Sequence, residues 1–368
     1  MKVLMTADAV GGVWNYSLEL ARALKPHGVE ILLATMGARP RDEQRSAAQA
    51  IANVRLVESD FALEWMPNPW RDVERAGEWL LQLESEFAPD IVHLGGLAHG
   101  ALPLRAPKLV VAHSDVLGWW RAVKDEAAPP EWSLYQQRVQ KGLHQADCVV
   151  APTQAMLDSL RPHYDFTTPS RAILNGCDTQ SWQPQPKEPF IFAAGRLWDE
   201  AKNLALLNTV APQIPWPIYV AGANQMPDGS AIEAANVHLL GRLSEAQIQN
   251  WMSRAAIYCL PARYEPFGLS VLEAALSGCA LVLGNISTLR EIWGADSPFN
   301  LCAEFVSAND ARTLEKLLLR LIEEPDRRER LARMSRARAQ EFSSQCMARR
   351  YFALYREMIA VSHKKSSS

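Results

Sequence analysis

No stretch of this chain approaches the roughly 18 uninterrupted apolar residues of a membrane-crossing helix, so nothing in it is expected to span a bilayer. A strong charge of either sign is also missing. Lys and Arg number 38 against 41 Asp and Glu, a net charge of -3, which gives no reason to expect nucleic acid as a partner. Cysteine pairing is absent too: Cys148, Cys177, Cys259, Cys279, Cys302 and Cys346 form no close pair. Several sit in apolar strand-like runs and read as buried thiols of a reducing compartment, without disulfides or zinc. Met1-Lys2 runs straight into Val3-Leu4-Met5, too short for a signal peptide. A cytoplasmic protein is the expectation, with peripheral contact to an inner membrane face left open. The dinucleotide fingerprint Gly-x-Gly-x-x-Gly does not occur, and Ala34-Thr35-Met36 supplies no acid at the end of the second strand to hold an NAD ribose.

What is present is a repeated alternation of strands and helices. A length of 368 residues suggests two domains rather than one core. Lys2–Thr6 reads as a strand, Gly11-Gly12 as a turn, and Val13 to Lys25 as a helix with Val13, Leu20, Ala21 and Leu24 inward. Gly28 ends that helix. Val29–Leu33, Asp90–Leu94, Lys108–Ala112 and Asp147–Ala151 are further strands, the pattern of a doubly wound parallel sheet. Ser181 to Pro189 is polar and proline-rich, which fits an interdomain linker. The alternation then restarts with Phe190–Ala194, Ile218–Ala221, Val237–Leu240, Ala256–Leu260 and Ala280–Leu283. The expected division is an N-terminal Rossmann-like domain over 1–180, a second over 181–345, and a terminal helix with a frayed tail over 346–368. Leu314, Leu317, Leu318 and Leu321 form one apolar stripe. Arg327 to Arg338 reads as a solvated helix. Met347 to Ile359 is amphipathic, with Tyr351, Leu354, Tyr355 and Met358, and His363 to Ser368 is expected to fray.

The segment Glu265-Pro-Phe-Gly-Leu-Ser-Val-Leu-Glu273 carries the clearest chemistry. An apolar strand ending at Pro261 delivers Glu265 into a loop, and Leu269, Leu272 and Leu276 share the face of a following helix that Gly278 ends. The amides of Phe267, Gly268 and Leu269 would open that helix without partners, which suits an anionic or oxygen-rich ligand. Two carboxylates beside it suit hydroxyl recognition. A nucleotide sugar offers phosphate and hydroxyls together.

This segment resembles the Glu-x7-Glu signature of the retaining glycosyltransferases of family four, the group-one enzymes with the GT-B fold. The resemblance covers nearly the whole chain and is more specific in the second half. It implies an α/β GT-B architecture: two Rossmann-like domains with parallel sheets facing a deep cleft, and a C-terminal helix crossing back to the N-terminal domain. It implies transfer of a hexosyl group from a nucleotide-diphosphate sugar to a hydroxyl of a glycan, lipid-linked or small-molecule acceptor, with retention of configuration. By resemblance, Glu265 lies by the donor sugar and Glu273 holds the ribose. Gly195-Arg196 and Lys202-Asn203 resemble the segment whose Arg and Lys neutralise the diphosphate, and fixed cations there would stabilise the leaving oxygen. Leu240-Gly-Arg242-Leu243 resembles the segment lining the nucleobase, and Gly11-Gly12 the glycine loop that approaches the donor phosphates.

His113 resembles the strand-end histidine that reaches the donor sugar, although Ser114 stands before Asp115 where typical members read His-Asp. Asp8 and His93 are expected to end strands on the same edge and face the cleft. Trp119, Trp120 and Arg121, in a stretch with Trp132 and Tyr135, are the expected acceptor pocket, since aromatic faces stack on sugars; filling the domain core is the ordinary alternative for these tryptophans. Asn175 and Asp178 resemble a family segment but fit turn residues better. No Asp-x-Asp motif of the other glycosyltransferase fold occurs, so neither metal nor other cofactor is expected. A noncatalytic glycosyltransferase-like binding subunit and a same-fold epimerase remain as alternatives. The base, the sugar, the acceptor and the oligomeric state are not encoded legibly.

Overall fold

The computed structural model describes residues 1–9, 11–223, 234–294 and 301–366. The first sheet contains β1 (Lys2–Asp8), β2 (Glu30–Met36), β3 (Val54–Glu58), β4 (Ile91–Leu94), β5 (Lys108–Val111), β6 (Cys148–Ala151) and β7 (Ser170–Ala172). They lie in the order β3-β2-β1-β4-β5-β6-β7, every pair parallel. The second sheet contains β8 (Glu188–Ala194), β9 (Ile218–Ala221), β10 (His238–Gly241), β11 (Ala255–Leu260), β12 (Ala280–Gly284) and β13 (Glu304–Val306). Its order is β10-β9-β8-β11-β12-β13, again all parallel. Parallel strands need covered faces on both sides, and this is why Val3, Leu4, Met5, Ile257 and Leu281 are fully buried. Strand order reverses beside β1 in the first sheet and beside β8 in the second. In open α/β sheets such a switch point, at the strands' carboxyl ends, is where ligands bind.

The chain divides into two compact units. One comprises residues 1–121, 126–176 and 344–368, the other residues 122–125 and 177–343. Each has its own apolar core, the first around Leu4, Val92, Val110 and Val149, the second around Ile191, Val220, Ile257 and Val282. The terminal helix Ser344–Ser366 belongs to the first unit and packs beside the helix Gly12–Leu24.

Four sequence expectations change. Strands β3, β7 and β13 went unread; all three are sheet edges, short, and only partly buried, so their apolar signal is weak. The segment Ser181–Pro189 is no loose tether. Trp182 is buried, Gln185 donates its amide to the Ser253 carbonyl, and Lys187 Nζ reaches the carbonyls of Ser253 at 2.9 Å and Ser277 at 2.6 Å. The helix Pro325–Ala339 is less solvated than its composition suggests. Arg328, Arg336 and Arg338 donate to the carbonyls of Leu321, Leu276 and Ile292, and Arg327 pairs with Glu304. The last helix continues to Ser366, past His363 where the tail was expected to begin, and residues 367–368 of that tail lie outside the described residues.

Candidate active site

In the second unit, two loops leave the carboxyl ends of the adjacent strands β8 and β11 and meet. The first carries Gly195, Arg196 and Lys202, the second Glu265. Lys202 Nζ donates to Glu265 Oε2 at 2.6 Å, with the two side chains only 16% and 14% exposed. Arg196 pairs with Asp199 at 3.0 Å and lies over the Trp198 ring at 5.4 Å, its side chain 39% exposed. The two cations therefore have separate anions, and Asp199 does not compete for Lys202.

Local backbone chemistry explains the meeting. Asn203 takes the left-handed conformation at φ 56°, which asparagine tolerates, and its side-chain amide donates to the carbonyls of Pro261 and Ala308. One side chain thus ties the loop after β8 to the end of β11. Gly222 sits at φ 148°, and a Cβ there would lie 1.7 Å from the Gly195 carbonyl oxygen, so only glycine lets the two strand ends approach. Thr288 Oγ1 donates to the Glu265 carbonyl at 2.6 Å and fixes that loop from a third side.

The helix Leu269–Leu276 begins after Gly268, which has φ 86°, and no side chain caps it. Its opening differs from expectation in one respect: the Phe267 amide leans on Glu265 Oε1 at 3.4 Å. Gly278 adopts φ 77° just past the end, as a C-terminal glycine should. Glu273 is the fifth residue of the helix, whereas Glu265 lies in the loop ahead of it, so the two do not mark opposite ends of one helical segment. Arg242 is exposed and Leu243 half-buried on the loop after β10, where Gly241 accepts from the Gly222 amide.

One functional side chain escaped the sequence reading. Tyr258, fully buried in β11, donates to the Ala194 carbonyl at 3.2 Å and shares a hydrogen bond with the Ser270 hydroxyl at 2.8 Å. It joins the end of β8 to the helix that bears Glu273. Burial raises its phenol pKa, and the Glu273 and Glu265 carboxylates add to the shift. A tyrosine inside the run Ala255-Ala-Ile-Tyr-Cys-Leu260 was the available signal, since a buried phenol needs a partner.

In the first unit, β1 ends at Asp8, and Gly11 takes φ 83° and ψ -148°, a region essentially reserved for glycine. No neighbouring atom lies within 4 Å of where its Cβ would be, so the demand is conformational. Gly12 opens the following helix. His113 follows β5, is half-buried, and packs on Tyr16 with ring centroids 4.4 Å apart. Desolvation lowers its pKa to about 4, which keeps the imidazole neutral at neutral pH. His93 does not face an open edge. It is 1% exposed and held between Tyr355 and Tyr16. Asp115 is also buried, accepting from the Gly118 amide and the Tyr164 hydroxyl, so it caps the helix Val116–Lys124.

On that helix Trp119 and Trp120 meet edge to face at 5.8 Å, both half-buried, and Arg121 is exposed. Tyr135 is buried in the core with its hydroxyl accepting from the Val116 amide at the start of that helix, and Trp132 packs on it edge to face at 5.6 Å, so both fill the core rather than a pocket. Glu64, partly exposed in the loop after β3, accepts the amides of Leu97 and Ala98, and desolvation raises its carboxyl to about 7. Asn175 is buried, while Asp178 accepts from the Gln180 amide and the Ser181 hydroxyl as a turn residue does.

Two parallel Rossmann-like units, each with polar loops at its switch point, define a GT-B glycosyltransferase. Comparison with known proteins agrees. Residues 10–181 match "Glycosyltransferase Family 4" and residues 178–338 match "Glycosyl transferases group 1"; the chain belongs to this glycosyltransferase family. It is 26% identical over 305 residues to an alpha-maltose-1-phosphate synthase of Mycolicibacterium smegmatis, covering 73% of this chain and 76% of the relative. It is 34% identical over 125 residues to an MMP alpha-(1->4)-mannosyltransferase of Mycolicibacterium hassiacum, covering 34% of this chain and 30% of that one. Among solved structures, sucrose-phosphate synthase of Thermosynechococcus elongatus aligns with a TM-score of 0.81 at 19% identity, covering 98% of this chain and 100% of its own. HepE of Anabaena, in complex with UDP and glucose, aligns at 0.77 and 15% identity, covering 97% and 100%. No helix among the described residues is long and apolar enough to cross a membrane.

Proposed function

We propose that this glycosyltransferase moves a hexosyl group from a nucleoside-diphosphate sugar to an acceptor hydroxyl, with retention and without a metal ion. The observation that carries the reading is the Lys202–Glu265 contact of 2.6 Å at the switch point of the second sheet. It puts a cation suited to diphosphate and a carboxylate suited to sugar hydroxyls side by side. Lys202 and Arg196 neutralise the charge that grows as the anomeric C–O bond to the diphosphate breaks. Glu265 accepts hydroxyls of the transferred sugar, Glu273 those of the ribose, and the Phe267, Gly268 and Leu269 amides face phosphate. Arg242 and Leu243 serve the base. In the first unit, Gly11 and Gly12 serve the phosphates and neutral His113 the sugar, with Trp119, Trp120 and Arg121 on the acceptor. The acceptor oxygen bonds to the anomeric carbon on the face the diphosphate leaves, and a diphosphate oxygen takes the acceptor's proton. The relatives named above act in hexose chemistry, and HepE holds UDP and glucose, which supports the donor class.

A thermal-shift series over UDP, GDP, ADP and dTDP and their sugars tests the donor. The correct diphosphate at about 100 times its Kd adds about 2.7 kcal/mol. Silence across the series, together with no donor consumption, would remove the reading. Turnover should also survive EDTA. Loss on chelation that magnesium or manganese restores would show that a metal, rather than Arg196 and Lys202, carries the diphosphate charge.

A further inference from the structure

Behind His113 lies a buried polar cluster that the transfer chemistry above does not use. Tyr16, on the helix Gly12–Leu24, is 2% exposed and packs its ring on His113. Its hydroxyl lies 3.3 Å from His93 Nε2, and its ring packs edge-on to Tyr351 at 6.1 Å. His93 Nδ1 lies 2.6 Å from the hydroxyl of Tyr355. Tyr351 and Tyr355, at 1% and 0% exposure, come from the C-terminal helix Ser344–Ser366. A neutral imidazole donates from one ring nitrogen and accepts at the other, so His93 can bond both hydroxyls at once: with Tyr355 donating to Nδ1, Nε2–H donates to Tyr16.

Such a cluster is costly. Four polar rings are desolvated where phenylalanine and leucine would fill the same space without needing partners. What the polar version adds is direction. Apolar packing leaves a ring free to rock, whereas the bond from the Tyr16 hydroxyl to His93, itself held by Tyr355, together with the edge-on Tyr351 ring, fixes the Tyr16 ring in plane and tilt. That ring forms a wall of the His113 site, meeting the imidazole at 66°.

We propose that Tyr16 is a positioning residue for His113, and that the C-terminal helix sets Tyr16 through Tyr355, His93 and Tyr351. The inference rests on the assignment of His113 to the donor sugar. Its consequence is that an end-of-chain helix controls the rate of sugar transfer without contributing to nucleotide affinity, because the chain of contacts from Tyr351 and Tyr355 through His93 to Tyr16 runs within the first unit.

The test uses the full chain with the donor identified above. Tyr355→Phe keeps the ring and removes one hydroxyl. Per nucleotide-binding molecule, kcat should fall roughly tenfold or more, as expected when a group that must be aligned is displaced by a fraction of an ångström. The Kd for the nucleoside diphosphate should stay at the wild-type value. The imidazole nitrogen resonances of His113 should move in Tyr355→Phe, a signature that simple destabilisation does not produce. Tyr16→Phe supplies the same comparison should Tyr355→Phe fail to fold. His113→Ala separates the two levels of the argument. If His113→Ala is slow while Tyr355→Phe and Tyr16→Phe keep wild-type kcat and an unmoved His113 signal, the positioning proposal is overturned and the site assignment stands. If His113→Ala itself transfers at the wild-type rate, the assignment falls and takes the proposal with it.

Discussion

Removing Lys202 perturbs charge at the centre of the second unit, and the structure sets the size of the effect. Its ammonium lies 2.6 Å from Glu265 Oε2, and both side chains are more than four-fifths buried. At an effective dielectric of about 20, unit charges at that separation attract by about 6 kcal/mol. Desolvation of both ions takes back most of this, so the intact pair contributes little net stability. Removing one partner is different, since the survivor stays desolvated without its counter-charge. Lys202→Met should therefore destabilise the second unit by about 3 kcal/mol, the low end for a broken buried pair, as should Glu265→Gln. The double variant should lose far less than the sum, giving a coupling energy of at least about 1.5 kcal/mol. Urea denaturation of the four proteins measures it. Turnover should behave oppositely: Lys202→Met drops it roughly 10²–10³-fold, and the double variant recovers stability without recovering rate. Additive stabilities within about 0.5 kcal/mol would refute the pairing argument. Wild-type turnover in a folded Lys202→Met protein would refute the role on the diphosphate.

Two further outcomes are expected. Glu273→Ala should weaken binding of the bare nucleoside diphosphate by about 1.5–3 kcal/mol, the worth of hydrogen bonds to a charged group, while Glu265→Ala leaves that binding nearly intact and slows transfer; equal losses by calorimetry would end the division of roles. Desolvation lowers the pKa of His93 to about 3, below the ordinary value of about 6.5, so the unfolded chain takes up the proton first. The stability advantage is then full above about pH 7 and is lost as pH falls towards 3. From pH 8 to pH 5.5 the wild type should lose about 1.4 kcal/mol relative to His93→Gln, and a pH-independent difference between the two would contradict the burial argument.

The central strands were legible because parallel strands covered on both faces read as apolar runs: Ile218–Ala221 and Ala256–Leu260 lie wholly in observed strands, and Val29–Leu33 does so from Glu30 on. The edges were not. Ser170–Ala172 and Glu304–Val306 have three residues each and only partial burial, too little pattern to separate from a loop. In the second unit the residues of interest were legible as local strings, and Lys202 and Glu265 do meet. What a string cannot carry is the distant partner. Nothing near His93 in sequence announces Tyr355, 262 positions away, so a strand-end histidine read as an open polar group is in fact enclosed. Tyr258 was hidden differently, as one phenol inside a run that otherwise satisfies every criterion for a plain buried strand.

The interrupted path of the first unit has a consequence for how the protein is made. Its sheet is complete by Ala172, but Tyr351 and Tyr355, which fill its interior, are not synthesised until the second unit has been made. At about 5–20 residues per second, residues 177–368 take about 10–40 s to emerge. Throughout that interval the helix Gly12–Leu24 and His93 lack the covering that the last helix supplies in the complete chain. The later-made half, continuous from 177 to 343 apart from the short earlier piece 122–125, can close first. A nascent chain halted just before Ser344 should therefore carry a protease-resistant second unit behind a first unit that still needs shielding from its neighbours.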